Sequence, residues 1–203
     1  MMTMRFWTLG LSLAAAASGQ LTYERLLKAD GEPDNWLTYS GNYRGWRNSR
    51  LDQVNRSNVK DLKLAWVYQM PVTMKIESTP LVVDGVMYVS EPPSNVVALD
   101  TATGRQFWRY RRSIPGPVNV CCGQVNRGVA VLGDRVYVGT VDAHLVALDA
   151  KTGRVVWDVT VADPRTGHSV TVAPLIVKDM VIVGIAGGEY GIRGFLDAYD
   201  ART

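Results

Sequence analysis

The side chains with the most distinctive chemistry in this chain are its only two cysteines, Cys121 and Cys122, which are adjacent. Neighbouring α-carbons lie about 3.8 Å apart across a trans peptide, below the roughly 4.4 Å at which ordinary disulfide geometry begins. A bridge between them would strain the enclosed peptide, and such strain tends to collect at functional sites. The alternative is two free thiols buried side by side as small apolar residues.

The first 19 residues have the pattern of a secretory signal peptide. Arg5 is the only charge before an apolar run over 6–17, and small residues at 17–19 offer a cleavage site before Gln20. The run is too short to span a bilayer as a helix, and we expect no membrane span later in the chain. We therefore expect an exported, periplasmic protein, in a compartment where disulfides persist, which favours the bridge.

The composition excludes some partners and permits a large core. Lys and Arg number 22 against 19 Asp and Glu, and one of the arginines lies in the leader. So small an excess does not indicate nucleic acid or an anionic membrane as a partner. Hydrophobic residues make up 47% of the chain, enough to bury one core in a domain of this size.

A repeated sequence unit indicates the architecture. The strand-like sequence Val-Ala-Leu-Asp is followed by a Thr-Gly turn and a tryptophan over 97–108. The same order returns over 146–157, 49 positions later. A third copy runs from 178 to 203. A period near 50 built from short strands is typical of a β-propeller. We therefore predict an all-β fold in which residues 20–203 form about three blades of a partial propeller domain with tryptophan-docking repeats.

Each repeat has a plain structural interpretation. In Asp-x-x-Thr-Gly the aspartate can bond its own backbone and the glycine can take a positive φ, as tight turns require. Trp108 and Trp157 then lie on the following strand, and we expect both to pack against the neighbouring blade rather than to contact a ligand. An earlier segment, 62–68, contains Trp66 and is predicted to be the outer strand of a blade whose other strands are absent from this chain; in a closed propeller it would cover an open sheet edge.

From Asn35 onward the chain resembles the N-terminal part of the quinoprotein alcohol dehydrogenases of the methanol and ethanol dehydrogenase family. The resemblance rests on the tryptophan repeats, on Cys121-Cys122 and on the segment 187–194, Gly-Gly-Glu-Tyr-Gly-Ile-Arg-Gly. It implies an eight-bladed propeller that holds pyrroloquinoline quinone (PQQ) and a calcium or lanthanide ion on its axis. This chain would supply about three of those blades, so we expect it to be part of a longer enzyme; a naturally shortened propeller is the alternative.

The resemblance also implies which residues form the site. One residue, Glu189, would bind the metal ion, which prefers oxygen ligands and acts as a Lewis acid. The residues implied to contact the cofactor are Glu77, Cys121, Cys122, Arg127, Thr171, Gly187 and Gly188. The disulfide would cover one face of the quinone, while Arg127 and Thr171 would donate to its carboxylates. Glu77 would face a cofactor carboxylate and would therefore need a raised pKa.

Other positions are expected to contribute less. Ala186 stands where relatives often have serine, so we expect weaker cofactor binding without a change of fold. The resemblance places the catalytic aspartate beyond Thr203, so no catalytic residue is assigned and the chain alone is expected to be inactive. Asp163 and Asp197 are interpreted as turn or surface residues. The two histidines, His144 and His168, are too few and too far apart to suggest a metal site.

The sequence is compatible with three functions. The resemblance implies an exported dehydrogenase that oxidises alcohols by hydride transfer to metal-bound PQQ, with a periplasmic cytochrome c as the electron acceptor. A non-catalytic propeller scaffold, such as an outer-membrane assembly lipoprotein, would carry similar repeats. A quinone-binding module is the third possibility. The Cys-Cys and Gly-Gly-Glu elements argue against a scaffold, which needs neither.

Overall fold

A computed structural model describes residues 20–203, so the predicted signal peptide lies outside the described residues. Within this part, the strands form three antiparallel sheets that follow one another along the chain. The first contains β1 (Leu81–Val83), β2 (Val86–Glu91), β3 (Asn95–Asp100) and β4 (Gln106–Tyr110). The second contains β5 (Ala130–Leu132), β6 (Arg135–Gly139), β7 (His144–Asp149) and β8 (Val155–Thr160), and the third β9 (Leu175–Val177), β10 (Met180–Gly184) and β11 (Leu196–Asp200).

Each sheet is one propeller blade, because its strands lie side by side in chain order and are joined by short turns. The all-β fold and the partial propeller predicted from the repeats are therefore confirmed. The strands β3 and β7 are buried along almost their whole length. Their Val-Ala-Leu sequences suit strands that pack on both faces, and they carry much of the core.

The turns after β3 and β7 form as the Asp-x-x-Thr-Gly pattern predicts. The carboxylate oxygen Oδ1 of Asp100 accepts hydrogen bonds from the backbone N–H groups of Ala102, at 2.8 Å, and Thr103, at 3.0 Å. These bonds stabilise the ionised carboxylate, so the pKa of Asp100 is lowered, chiefly by the bond from Thr103. Gly104, the last residue of the turn, has a φ of +71°.

A tryptophan from one blade lies against the turn glycine of the next. Trp108 on β4 donates from Nε1 to the carbonyl oxygen of Ala150 at 2.9 Å, and its ring covers Gly153 so closely that a Cβ there would overlap the indole. Trp66 covers Gly104 in the same way, with 2.6 Å between a Cβ placed on that glycine and the ring. Trp157 packs on Tyr137 of its own blade, with ring centroids 5.7 Å apart. The contact of Trp108 with the second blade confirms the packing interpretation of this residue, whereas the contact of Trp157 with a neighbouring blade stays a prediction.

The prediction of an outer strand over 62–68 is wrong, although the docking of Trp66 is present. This segment follows a short 3-10 helix (Val59–Asp61) and has no strand assignment. A strand needs a neighbour to take up its backbone N–H and C=O groups, and among residues 20–203 no strand pairs with this segment. Its exposed Leu64 and Val67 are consistent with the missing neighbour.

The N-terminal segment packs against the first two blades at the end opposite the candidate site, where the turns after β1 and β5 lie. Helix α1 (Tyr23–Leu27) is capped by Thr22, whose hydroxyl accepts from the N–H of Arg25 at 3.2 Å. Backbone bridges tie Leu21 to Gly133 and Trp36 to Val82. Nowhere in residues 20–203 does a helix have the length and apolar character needed to cross a membrane.

We expect Gly153→Ala to destabilise the protein more than Gly85→Ala. Both glycines have a positive φ, +70° and +82°, which costs an L-residue roughly 1–2 kcal/mol. Only at Gly153 would the new Cβ overlap the Trp108 indole, whereas at Gly85 it would make an ordinary contact with the Thr101 hydroxyl at 3.9 Å. The overlap adds about 1–3 kcal/mol. Calorimetric unfolding of the full-length protein measures the two losses, and equal losses would contradict the docking contact.

Candidate functional site

Three segments that lead into the first strand of each blade meet at one end of the blades. We call them the crossover segments: 77–79 before β1, 125–128 before β5 and 169–171 before β9. The N–H of Thr79 donates to the carbonyl of Arg127 at 3.0 Å, and the N–H of Arg127 donates to the carbonyl of Thr171 at 3.1 Å. Arg127 is therefore the middle member of a backbone ladder that joins all three blades.

The Arg127 side chain lies between two of the predicted site residues. Its guanidinium nitrogen Nη2 is 2.9 Å from Oε2 of Glu77, and Nη1 donates to the hydroxyl of Thr171 at 2.9 Å. The other Glu77 oxygen pairs with the ammonium group of Lys75 at 2.5 Å. The Arg127 side chain remains 39% exposed, so it can also bind an anion.

The raised pKa expected for Glu77 applies to a carboxyl group that faces a cofactor carboxylate, and it stays a prediction. The hydrogen bond from Lys75 and the charges of Arg127 and Lys75 hold the pKa of this carboxyl below its ordinary value. The expectation assumed that the nearest neighbour of Glu77 would be a second carboxylate. Two cations surround it here, and opposite charges favour the ionised form.

Cys121 and Cys122 form a disulfide, so the free-thiol alternative does not describe this structure. The pair forms a tight turn on the surface, and Cys122 has a φ of +62°. A left-handed backbone is uncommon for a residue other than glycine, and it persists only where the surroundings impose it. Both cysteines line a cavity together with residues of two crossover segments.

A cavity of about 180 Å³ brings most of the predicted residues together. Its wall combines the disulfide turn, two crossover segments and the chain that follows β10. The lining residues are Val120, Cys121, Cys122, Gly123, Val125, Arg127, Ser169, Thr171, Ala186 and Glu189. Glu77 joins this group through its ion pair with Arg127. A larger cavity of about 650 Å³, between α1 and the β9–β10 turn, lies at the opposite end of the blades and contains none of the predicted residues.

Of the Gly-Gly-Glu element only Glu189 lines the cavity, whereas Gly187 and Gly188 do not. The element is held beside the cavity because the residue before it is paired to a crossover segment. Ser169 and Ala186 exchange two backbone hydrogen bonds, at 3.1 and 2.8 Å, just before a 3-10 helix (Gly188–Tyr190). Gly187 has a φ of +130°, and a Cβ there would overlap the carbonyl oxygen of Gly167, so no other residue fits. Gly188 has open space around it, and its glycine is not required by packing.

Glu189 is exposed at the rim of the cavity. Nowhere among residues 20–203 do three or more His, Cys, Asp or Glu side chains come together to hold a metal ion. The described chain can therefore offer Glu189 as one ligand of a cation rather than as part of a complete protein shell. Asp163 is a turn residue as predicted: it accepts from the backbone and side chain of Arg165, which lower its pKa to about 2.

Sequence reasoning missed Ser169, which is 2% exposed and lines the cavity. Alternate side chains of an extended segment point to the same side. Because Thr171 is a predicted site residue, the same alternation points to Ser169, two residues earlier. Ser169 is paired with Ala186, and both residues line this wall of the cavity.

Residues 36–203 match the family described as "PQQ: Glucose/ethanol/alcohol dehydrogenase, beta-propeller domain". The match covers most of the chain, which therefore belongs to this PQQ-dependent propeller family. The resemblance inferred from the tryptophan repeats, the paired cysteines and the Gly-Gly-Glu segment is thereby confirmed.

Individual relatives agree with this assignment. The chain is 45% identical over 201 residues to the dehydrogenase subunit of a quinone-type alcohol dehydrogenase from Gluconacetobacter polyoxogenes, covering 95% of this chain and 27% of that protein. The structure of the quinohemoprotein alcohol dehydrogenase ADHIIG from Pseudomonas putida HK5 superposes with a TM-score of 0.86 at 42% identity, over 91% of this chain and 27% of that one. The structure of a europium-containing methanol dehydrogenase superposes with a TM-score of 0.80 at 39% identity, over 89% of this chain and 32% of that one. The chain thus spans about a third or less of the length of these relatives.

We expect Glu77→Gln to lower the melting temperature at pH 7 but to have little effect at pH 3 or below. Because the folded-state pKa of Glu77 is depressed, its ion pairs stabilise the fold above the ordinary pKa of 4.5 and are lost as pH falls through the lower folded value. Arg127→Gln, which removes one partner, should show the same pH dependence to a smaller extent, since Lys75 remains. Thermal unfolding of both variants at pH 7 and pH 3 measures the changes in melting temperature. A decrease that is equally large at the two pH values would contradict the ion pairs.

Proposed function

We propose that the full-length protein containing this segment is a PQQ-dependent alcohol dehydrogenase, and that the cavity at the crossover segments forms part of its cofactor site. One observation carries the proposal: the Cys121–Cys122 disulfide, Arg127, Thr171 and Glu189 line a single cavity in a chain of this family. Each of these groups can interact with a different part of a flat, polycarboxylate quinone.

The residues present fit such a molecule. The disulfide offers an uncharged, polarisable surface against which a planar ring can pack. Arg127 carries a guanidinium suited to bidentate pairing with a carboxylate, and the Thr171 hydroxyl is a second donor. Glu77 is paired with both Lys75 and Arg127, so its single carboxylate does not neutralise both cations, and Arg127 can still pair with a carboxylate of the ligand.

PQQ, when bound, supplies an orthoquinone that can accept a hydride from an alcohol, and a calcium or lanthanide ion can activate it. The role of this chain is to bind and orient that group. Arg127 and Thr171 would fix its carboxylates, and the buried Val125 and the disulfide would exclude water from one face. Glu189 would contribute a charged oxygen to the hard cation. A lanthanide is included because one structural relative is described as europium-containing.

The remaining parts of the proposal concern the cell. The composition of residues 1–19 supports export to the periplasm, where the Cys121–Cys122 disulfide would persist. A periplasmic cytochrome c would then be the electron acceptor. Relatives described as quinohemoproteins, and as the dehydrogenase subunit of an alcohol dehydrogenase, support electron transfer to a haem group or a partner protein.

The test is an alcohol-dependent dye-reduction assay on the full-length protein, reconstituted with PQQ and either calcium or a lanthanide. Turnover should require the alcohol, the cofactor and the ion. Glu189→Gln should lower both metal content and turnover by roughly tenfold or more, because a charged ligand is lost, with little change in melting temperature.

Glu24→Gln is the matched control, since Glu24 is also an exposed glutamate but lies on α1 at the opposite end of the blades. It should leave metal content and turnover unchanged. Absence of alcohol-dependent turnover in the reconstituted wild-type protein would contradict the proposed function. Unchanged metal content in Glu189→Gln would remove this residue from the site.

A further inference from the structure

Directly beside the Glu77–Arg127 ion pair lies a buried polar network, which we call the serine bridge and which consists of Ser78, Ser90 and the carbonyl of Asn126. Ser90, near the end of β2, is fully buried. Its Oγ lies 3.0 Å from Oγ of Ser78 and 3.3 Å from the carbonyl oxygen of Asn126, and its N–H donates to Ser78 Oγ at 3.2 Å.

These contacts can all be satisfied at once. A serine hydroxyl has one proton to donate and two lone pairs to accept with. The Ser78 hydroxyl can donate to Ser90 Oγ while accepting from the Ser90 N–H, which leaves the Ser90 hydroxyl proton for the Asn126 carbonyl. The serine bridge is therefore a complete hydrogen-bonded link, which is what a buried polar group requires.

The link connects the two crossover segments that carry the ion pair. Ser78 is the neighbour of Glu77 in sequence, and Asn126 is the neighbour of Arg127. Asn126 is itself fully buried: its side chain donates to the carbonyl of Gly139 at 2.7 Å and accepts from the N–H of Gly128 at 3.1 Å. The position of Arg127 is thus set from a rigid blade interior, through residues that do not line the cavity.

We propose that Ser90 is a positioning residue of the PQQ site: its hydroxyl fixes the spacing between the segment that carries Glu77 and the segment that carries Arg127. The inference rests on the proposed function of this cavity. Without the hydroxyl the two segments lose their buried link on the side away from the cavity. The guanidinium is then held less firmly in the orientation that pairs with a carboxylate, and the cofactor binds more weakly.

Ser94 provides a matched control for a purely structural role. It is also fully buried and lies in the first blade, between β2 and β3. Its Oγ donates to the carbonyl of Pro93 at 2.5 Å and accepts from the N–H of Val141 at 2.9 Å. Ser94 therefore joins the first blade to the second as Ser90 does, but it contacts neither crossover segment.

The experiment compares Ser90→Ala with Ser94→Ala in the full-length protein freed of cofactor and titrated with PQQ. Both variants should lose thermal stability. Only Ser90→Ala should raise the Kd for PQQ, by about three- to tenfold, the effect of one or two hydrogen bonds. Ser78→Ala cuts the same link at a half-buried position. The double variant Ser78→Ala/Ser90→Ala should bind no more weakly than Ser90→Ala, because both changes break one link.

Every outcome of this experiment either supports or contradicts the positioning role of Ser90. Equal PQQ affinity in Ser90→Ala and Ser94→Ala overturns the positioning role, and the proposed function then stands provided that the wild-type protein binds PQQ. A wild-type protein that does not bind PQQ overturns both. Should Ser90→Ala fail to fold, Ser78→Ala decides, and an unchanged Kd in that variant counts against the serine bridge. If the effects of Ser78→Ala and Ser90→Ala on the free energy of PQQ binding were fully additive in the double variant, the positioning role of Ser90 would also be overturned.

Discussion

The arrangement of the blades depends on a contact between an indole ring and a glycine of the next blade. Trp66 lies on Gly104 and Trp108 lies on Gly153, and each glycine has a φ that other residues rarely adopt. The contact needs three features at once: a flat ring, a missing side chain, and a turn tightened by the preceding aspartate. The contact of Trp108 with Gly153 joins the first blade to the second, and the segments that lead into the first strands of the blades converge at one end.

The candidate site follows from that convergence. The crossover segments meet through backbone bonds on both sides of Arg127, and side-chain pairs with Glu77 and Thr171 form over them. The segment that carries the disulfide is anchored before and after it. Arg112 pairs with the buried Asp142 at 2.7 Å, and Asn126 bonds to Gly139. Both anchors lie on the second blade, so the disulfide turn is held against a rigid support although it is itself exposed.

Much of this could be predicted from sequence because the repeated unit encodes local chemistry. Strand residues, the Asp-x-x-Thr-Gly turns and the role of Trp108 follow from neighbours a few positions apart. The strand expected over 62–68 did not form, because a strand depends on a pairing partner as well as on propensity. The two cations beside Glu77, Lys75 and Arg127, could not be foreseen, because the ion pair with Arg127 forms between distant segments. Ser90 went unnoticed because a serine within an apolar strand has no signal until its distant partners are known.

The central claim is that the cavity bounded by the Cys121–Cys122 disulfide and Arg127 binds PQQ. A crystal structure of the full-length protein soaked with PQQ tests this most directly. The account predicts density for a planar ring against the disulfide, with a carboxylate within hydrogen-bond distance of the Arg127 guanidinium and of the Thr171 hydroxyl. Ring density elsewhere, such as in the larger cavity beside α1, with the cavity at Arg127 filled only by solvent, would contradict it.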